Sequence, residues 1–199
     1  MKEILVKQFE KMKISKKVIN AFKKIPREDF ILPEWKEHAY EDEALPIMEG
    51  QTISQPSTVL LMLYELKVQP DMKVLEIGAG SGYNAALLSK LAKKVYSVER
   101  IKGLAEFSED NLLKAGIKNV VVIYADGKKG YAKEAPYDRI IVTAAAKEIP
   151  EALLKQLKDG GILLMPVGAI YRQELVRVKR KGKKYQYHKL GAYVFVPLI

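Results

Sequence analysis

The chain has 199 residues, 48% apolar and 29% charged, which suits one domain with a buried core and excludes both disorder and a fibrous repeat. It has no cysteine, so disulfides, zinc–thiolate centres, iron–sulfur clusters and cysteine nucleophiles are excluded. The formal net charge of +10 is scattered over short lysine groups with one denser run, Lys179 to Lys184; it fits either attraction to a polyanion or a lysine-rich solvated surface of the kind common in heat-adapted proteins.

Met1-Lys2-Glu3-Ile4 opens directly into mixed charged and apolar residues, without a secretory pattern. No stretch reaches the roughly 20 uncharged residues of a membrane span, so a soluble, cytoplasmic protein is expected. Ile4, Leu5, Phe9 and Met12 have helical spacing, as do Val18, Ile19, Phe22 and Ile25, with Ser15 placed to cap the second helix. Pro26, Pro33 and Pro46 predict mostly loop over 30–53, followed by a helix that starts near Pro56 and stops at Pro70. From Lys73, short apolar runs alternate with longer helical ones: 74–77, 85–91, 95–98, 102–115, 120–123, 139–142, 150–157 and 162–165. That alternation predicts an α/β fold, a mostly parallel sheet with right-handed crossovers and helices on both faces. After Gly168 the alternation ends. Residues 174–178 and 193–196, on either side of the basic run with its Gly182 turn, are expected to be antiparallel strands closing the sheet edge.

The sharpest local motif is Glu76-Ile77-Gly78-Ala79-Gly80-Ser81-Gly82, between the first strand of this core and a helix. Glycines there permit a tight turn and the approach of a ligand to the backbone, with a helix N-terminus behind it. The spacing is not that of the dinucleotide fingerprint, and no Gly-Lys-Ser/Thr follows, so it is not a phosphate loop. Glu99 ends the second strand, where a carboxylate can accept hydrogen bonds from both hydroxyls of a ribose, and Asp126-Gly127 follows the third, placed to contact an adenine edge. The plainer reading, in which the glycines only shape a turn and Glu76 is a buried strand residue with a local partner, stands beside this one. The combination resembles motif I and its partners in the S-adenosylmethionine-dependent methyltransferases with a Rossmann-like core. That cofactor has no phosphate to cradle, in keeping with the loop.

On the acceptor side, Val142-Thr143-Ala144-Ala145-Ala146 replaces the Asn/Asp-Pro-Pro-aromatic motif that goes with methylation of base amines. His38 and His188 have no evident partner. The unusual segment is Leu45 to Pro56, polar and glycine-bearing before a helix, where free backbone N–H groups and Ser54 could hold a carboxylate; Ser54 as a simple N-cap fits the spacing equally well.

Here the resemblance becomes specific. Ile25-Pro26-Arg27-Glu28-Asp29-Phe30, Ala39-Tyr40-Glu41-Asp42, Leu45-Pro46-Ile47, Gly50-Gln51-Thr52-Ile53-Ser54-Gln55-Pro56, the glycine loop, Tyr137 to Ala146, Pro166-Val167-Gly168, Gln173-Glu174-Leu175 and Phe195-Val196-Pro197-Leu198 together resemble the protein-L-isoaspartate (D-aspartate) O-methyltransferase family over nearly the whole chain. The family usually has glycine where Met48 and Ala125 stand, and a final glycine that this chain lacks.

The resemblance implies one methyltransferase domain: 1–69 shapes the substrate site, 70–168 is the cofactor-binding core and 169–199 forms C-terminal antiparallel strands. It implies Ser54 as the catalytic residue. Ser54, Gln55, Pro56, Ser57, Glu76, Gly78, Ala79, Gly80, Ser81, Gly82, Glu99, Asp126, Gly127 and Gln173 would hold S-adenosylmethionine (product S-adenosylhomocysteine), and Ile53, Ser54, Thr143, Ala144 and Ala145 the substrate. The acceptor would be the free carboxylate of L-isoaspartyl residues in damaged proteins and peptides, whose methyl ester then closes to a succinimide unaided. A cytoplasmic monomer with no metal, membrane or nucleic-acid partner is expected. An RNA methyltransferase and a non-catalytic cofactor-binding protein are the rival readings.

Overall fold

The computed structural model describes residues 1–169 and 172–199. Helices α1 (Lys2–Lys11) and α2 (Lys16–Lys24) form where the apolar spacing predicts them, burying Leu5, Val6 and Phe9 against Val18, Ile19 and Phe22. The Phe9 and Phe22 rings meet edge to face, 5.2 Å apart. Ser15 holds the N-cap position of α2 through its carbonyl, which accepts from Val18 and Ile19 N–H, while its side chain makes no cap bond. Residues 30–53 are largely irregular, as the prolines require, with 3₁₀ turns and a short antiparallel pair, β1 (Leu45–Pro46) and β2 (Thr52–Ile53).

Helix α3 (Pro56–Leu66) begins with proline in its first turn and ends at left-handed Lys67, short of the expected stop at Pro70. Arg139 is the physical reason. Its Nε donates to the Leu66 carbonyl at 2.7 Å and its Nη2 to that of Lys67 at 3.3 Å, satisfying the helix end. Val68 then turns into the core.

The core strands are β3 (Lys73–Ile77), β4 (Lys94–Glu99), β5 (Val120–Tyr124), β6 (Tyr137–Val142), β7 (Leu157–Ala169), β8 (Arg172–Lys181) and β9 (Lys184–Tyr193), in spatial order β5-β4-β3-β6-β7-β8-β9. The first five in that order are parallel, and β8 and β9 are antiparallel. Side chains alternate across the sheet: Val74, Ile141 and Leu164 join the core under α1, α2, α3 and α4 (Tyr83–Ser89), while Leu75, Ile77, Ile140, Val142 and Leu163 join a second core with Leu153 of α6 (Glu151–Gln156). α5 (Lys102–Lys114) connects β4 to β5.

β5 and β6 follow one another without an intervening helix, as the runs 120–123 and 139–142 do in the sequence, and are joined by 3₁₀ turns at Gly127–Lys129 and Ala132–Glu134. One expectation needs correction: the last strand lies earlier than expected, with Tyr193 at its end, and Val194–Val196 has left the sheet. The backbone of this tail is satisfied elsewhere: Gln173 donates to the Phe195 carbonyl at 3.1 Å and accepts its N–H at 2.7 Å, and Ala145 exchanges bonds with Val196 and Leu198. The basic run does make the expected hairpin turn, with Gly182 at φ +59° between β8 and β9.

The chain lays down β3, β4 and β5 in one direction, then returns to place β6 on the other side of β3. Their connections therefore diverge at the C-terminal ends of β3 and β6, opening the crevice where ligands bind in such sheets. Among the described residues, no helix is long and apolar enough to cross a membrane.

Candidate active site

β3 delivers the glycine loop to the crevice. Gly78 adopts φ +93°, and a Cβ there would run into Thr143 Oγ1, so glycine is required by conformation and by contact alike. Its N–H donates to the Val98 carbonyl at 2.8 Å, tying the loop to β4.

β4 brings Glu99 beside that loop. The carboxylate is 7% exposed and accepts three backbone N–H bonds, from Gly80 at 3.0 Å, Arg100 at 2.8 Å and Ile101 at 3.0 Å. It thus ties the glycine loop to the start of α5, and a carboxylate has roughly four lone-pair sites, which leaves capacity for a ligand hydroxyl. Glu76 is fully buried, accepting from Asn84 at 2.7 Å and from Ser97. Burial pushes its carboxyl up to about 7, against the Ser97 and Asn84 bonds that lower it and with the Glu99 charge adding to the rise.

The acceptor segment reaches the crevice from the other side. The β1–β2 pair folds over the glycine loop, so that a Cβ on Gly80 would lie 3.6 Å from Ile47 Cδ1. Gln55, rather than Ser54, is the N-cap of α3. Arg27, fully buried, donates from Nη1 to the Ser54 carbonyl at 2.8 Å, and Asp42 accepts the Ser57 N–H at 2.8 Å. Burial lowers the Arg27 guanidinium to about 10, partly offset by Tyr83, Asp42 and Tyr40, so it stays charged at neutral pH.

These parts enclose one cavity of about 930 Å³, counting its open mouth. Ile53, Ser54, Gly78, Ala79, Gly80, Ser81, Glu99, Gly127, Thr143 and Ala144, all named from the sequence, line it. Gln55, Pro56, Ser57, Glu76, Gly82, Asp126, Ala145 and Gln173 do not. Several of these support the wall from behind: Glu76 holds Asn84, which lines the cavity, Asp126 accepts the Lys128 N–H at 3.0 Å in the turn carrying Gly127, and Gln173 pins the tail. A second recess shares Thr52, Ser54, Thr143 and Val196 with the cavity and adds Gln55 and Phe195.

Sequence reasoning missed Asn84, Arg100, Ile101 and Leu104 in the wall, and gave Val196–Ile199 no role in it. It also missed what Arg27 and Asp42 hold; their presence in quoted motifs was the available signal.

The cavity suits S-adenosylmethionine by its own chemistry. Its walls are mostly apolar side chains and backbone, with Glu99 as the carboxylate and Arg100 as the cation among its lining residues, and no lysine to meet a phosphate. Apolar surface accommodates a purine, the strand-end carboxylate one hydroxyl of a ribose, and the glycine loop an amino-acid tail.

A glycine loop and a strand-end carboxylate opening into one crevice of a mostly parallel seven-stranded sheet define the class: the fold is that of the S-adenosylmethionine-dependent methyltransferases. A solved protein-L-isoaspartate O-methyltransferase superposes with a TM-score of 0.90 at 33% identity, over 99% of this chain and 65% of that one. A structure from Plasmodium falciparum, assigned to the same activity and in complex with S-adenosyl-L-homocysteine, gives 0.86 at 27% identity, over 98% of this chain and 96% of its own. The family model for protein-L-isoaspartate(D-aspartate) O-methyltransferase matches residues 1–199. Relatives carrying the name protein-L-isoaspartate O-methyltransferase include one from Dictyoglomus thermophilum, 51% identical over 184 residues (92% of this chain, 84% of the relative), and one from Pyrococcus horikoshii, 50% identical over 188 residues (93% and 86%). The chain belongs to the protein-L-isoaspartate(D-aspartate) O-methyltransferase family.

Proposed function

We propose that this chain methylates the free carboxylate of L-isoaspartyl residues in damaged proteins and peptides, with S-adenosylmethionine as donor and Ser54 orienting the acceptor. The observation that carries the reading is the position of Ser54 on the wall shared by the cavity of the glycine loop and Glu99 and the second recess beside it. A donor bound on one side and a peptide on the other would meet there.

When bound, S-adenosylmethionine supplies an electrophilic methyl group on a sulfonium. The glycine loop, Glu99 and Gly127 would hold it. The isoaspartyl α-carboxylate, with a pKa around 3.5, is already anionic at neutral pH, so no strong base is needed. Ser54 donates a hydrogen bond to one carboxylate oxygen and leaves the other facing the cavity. Ile53 and the tail wall at Val196–Ile199 would exclude water that would otherwise solvate the nucleophile. The Thr143–Ala146 turn contributes shape more than donors, because the N–H groups of Thr143, Ala145 and Ala146 already bond to Ile77, Val196 and Pro166.

The same reading takes the chain as a single-domain cytoplasmic monomer in which residues 1–69 shape the acceptor side. Its positive charge is a solvated surface rather than a nucleic-acid footprint. The test is methyl transfer from labelled cofactor to matched isoaspartyl peptide, normal aspartyl peptide and RNA. Label on the isoaspartyl peptide alone supports the assignment; label on RNA alone, or on nothing, overturns it.

A further inference from the structure

Four residues, Ser54 to Ser57, carry the chain from β2 into α3, and both ends of this turn are gripped from outside. At the first end the Ser54 carbonyl accepts from Arg27 Nη1 at 2.8 Å; at the other the Ser57 N–H donates to Asp42 Oδ1 at 2.8 Å. Neither grip involves the Ser54 hydroxyl. Arg27 Nη2 also donates to the Glu43 carbonyl at 3.3 Å, and its backbone N–H to Tyr40 Oη at 3.3 Å, so the guanidinium ties the turn to the segment that carries Asp42. On its other side Arg27 lies over the ring of Tyr83, 5.4 Å from Cζ to centroid, at the start of the helix that follows the glycine loop.

Burying a whole guanidinium is costly unless its donors are matched. Here Arg27 Nε and Tyr83 Oη are buried with no hydrogen-bond partner. A core built for stability alone would fill this space with an apolar side chain. A rigid, forked cation that holds two carbonyls at once instead sets the position of one loop relative to another.

We infer that Arg27 and Asp42 are positioning residues for the acceptor, clamping the two ends of the Ser54–Ser57 turn so that the Ser54 hydroxyl is held at the wall between the two cavities. This rests on the proposed role of Ser54 and extends it: neither residue touches the substrate, and both act through the serine.

A double-mutant cycle tests it, with Asp42→Ala, Ser54→Ala, the double variant and Arg27→Lys. Turnover of an isoaspartyl peptide, affinity for S-adenosylhomocysteine and melting temperature are read for each. Asp42→Ala is expected to lower kcat roughly 10- to 100-fold, the scale of a misplacement of about 1 Å, with affinity unchanged. In the Ser54→Ala background the same substitution should add less than about twofold, because its effect has already been removed. Arg27→Lys keeps the charge but not the fork and should lose kcat likewise; should it fail to fold, the Asp42 cycle decides alone. The clamp is overturned by wild-type kcat in Asp42→Ala, or by losses that multiply in the double variant, the mark of a merely structural role. Wild-type turnover in Ser54→Ala alone would instead overturn the serine reading, and the clamp with it.

Discussion

Thr143 and Gly78 close on each other across the point where the strand order reverses: Thr143 Oγ1 lies 2.8 Å from the Gly78 carbonyl oxygen and 3.1 Å from that of Ile77. The hydroxyl at the end of β6 therefore holds the first turn of the glycine loop at the end of β3. This contact joins the two edges of the crevice directly.

Gly78→Ala should be much worse than Gly50→Ala, although both positions have positive φ. A Cβ on Gly78 meets Thr143, whereas one on Gly50 has nothing within 4 Å. Roughly 2–4 kcal/mol is expected for the first, from overpacking plus backbone strain, and about 1 kcal/mol for the second. Urea unfolding of the two variants measures the difference, and equal costs would show that the Thr143 contact is unimportant.

Ser54→Ala should slow methyl transfer to an isoaspartyl peptide by roughly 10²–10³, the usual contribution of a positioned donor. Affinity for S-adenosylhomocysteine should be unchanged. Single-turnover kinetics and calorimetry separate the two quantities.

Glu99→Gln should weaken S-adenosylhomocysteine binding by roughly 10- to 100-fold, the value of hydrogen bonds to a charged group. The amide keeps one acceptor oxygen but loses the charge, and its NH2 then faces a backbone N–H that the second carboxylate oxygen had accepted. Titration calorimetry reads this directly, and an unchanged affinity would remove Glu99 from the ligand.

Glu76 makes stability depend on pH. Its folded pKa of about 7 lies above the ordinary carboxyl value of 4.5, so the folded state binds the extra proton between these values. Stability is greatest below pH 4.5 as far as this group is concerned, falls as pH rises toward 7 and levels off beyond. The upper bound of the loss is about 3 kcal/mol. Glu76→Gln should flatten that part of the profile, measured by denaturant melts across the window.

Gln173→Ala should free the C-terminal tail. The Phe195 amide, which donates to the Gln173 side chain at 2.7 Å, should exchange its hydrogen about tenfold faster, the effect of losing one buried bond. Hydrogen-exchange mass spectrometry of the C-terminal peptide checks it.

The parallel core and its glycine loop were legible in the sequence because their signals are local. Consecutive apolar residues in β3 and β6 mark strands buried on both faces, and glycines at the β3 exit mark a turn that side chains would block. Glu99 was legible for the same reason: a strand end is a place that spacing can locate. The N-cap of α3, the early stop at Lys67 and the route of residues 194–199 were decided only by the tertiary structure. There the partners are backbone carbonyls and amides, which every residue carries and no pattern advertises. Arg139 ends α3 from 72 residues away, and Gln173 draws the tail out of the sheet across 22. Arg27 and Asp42 stood in recognisable motifs, yet only folding shows that they grip one turn, because a hydrogen bond between distant segments depends on where the chain has been carried.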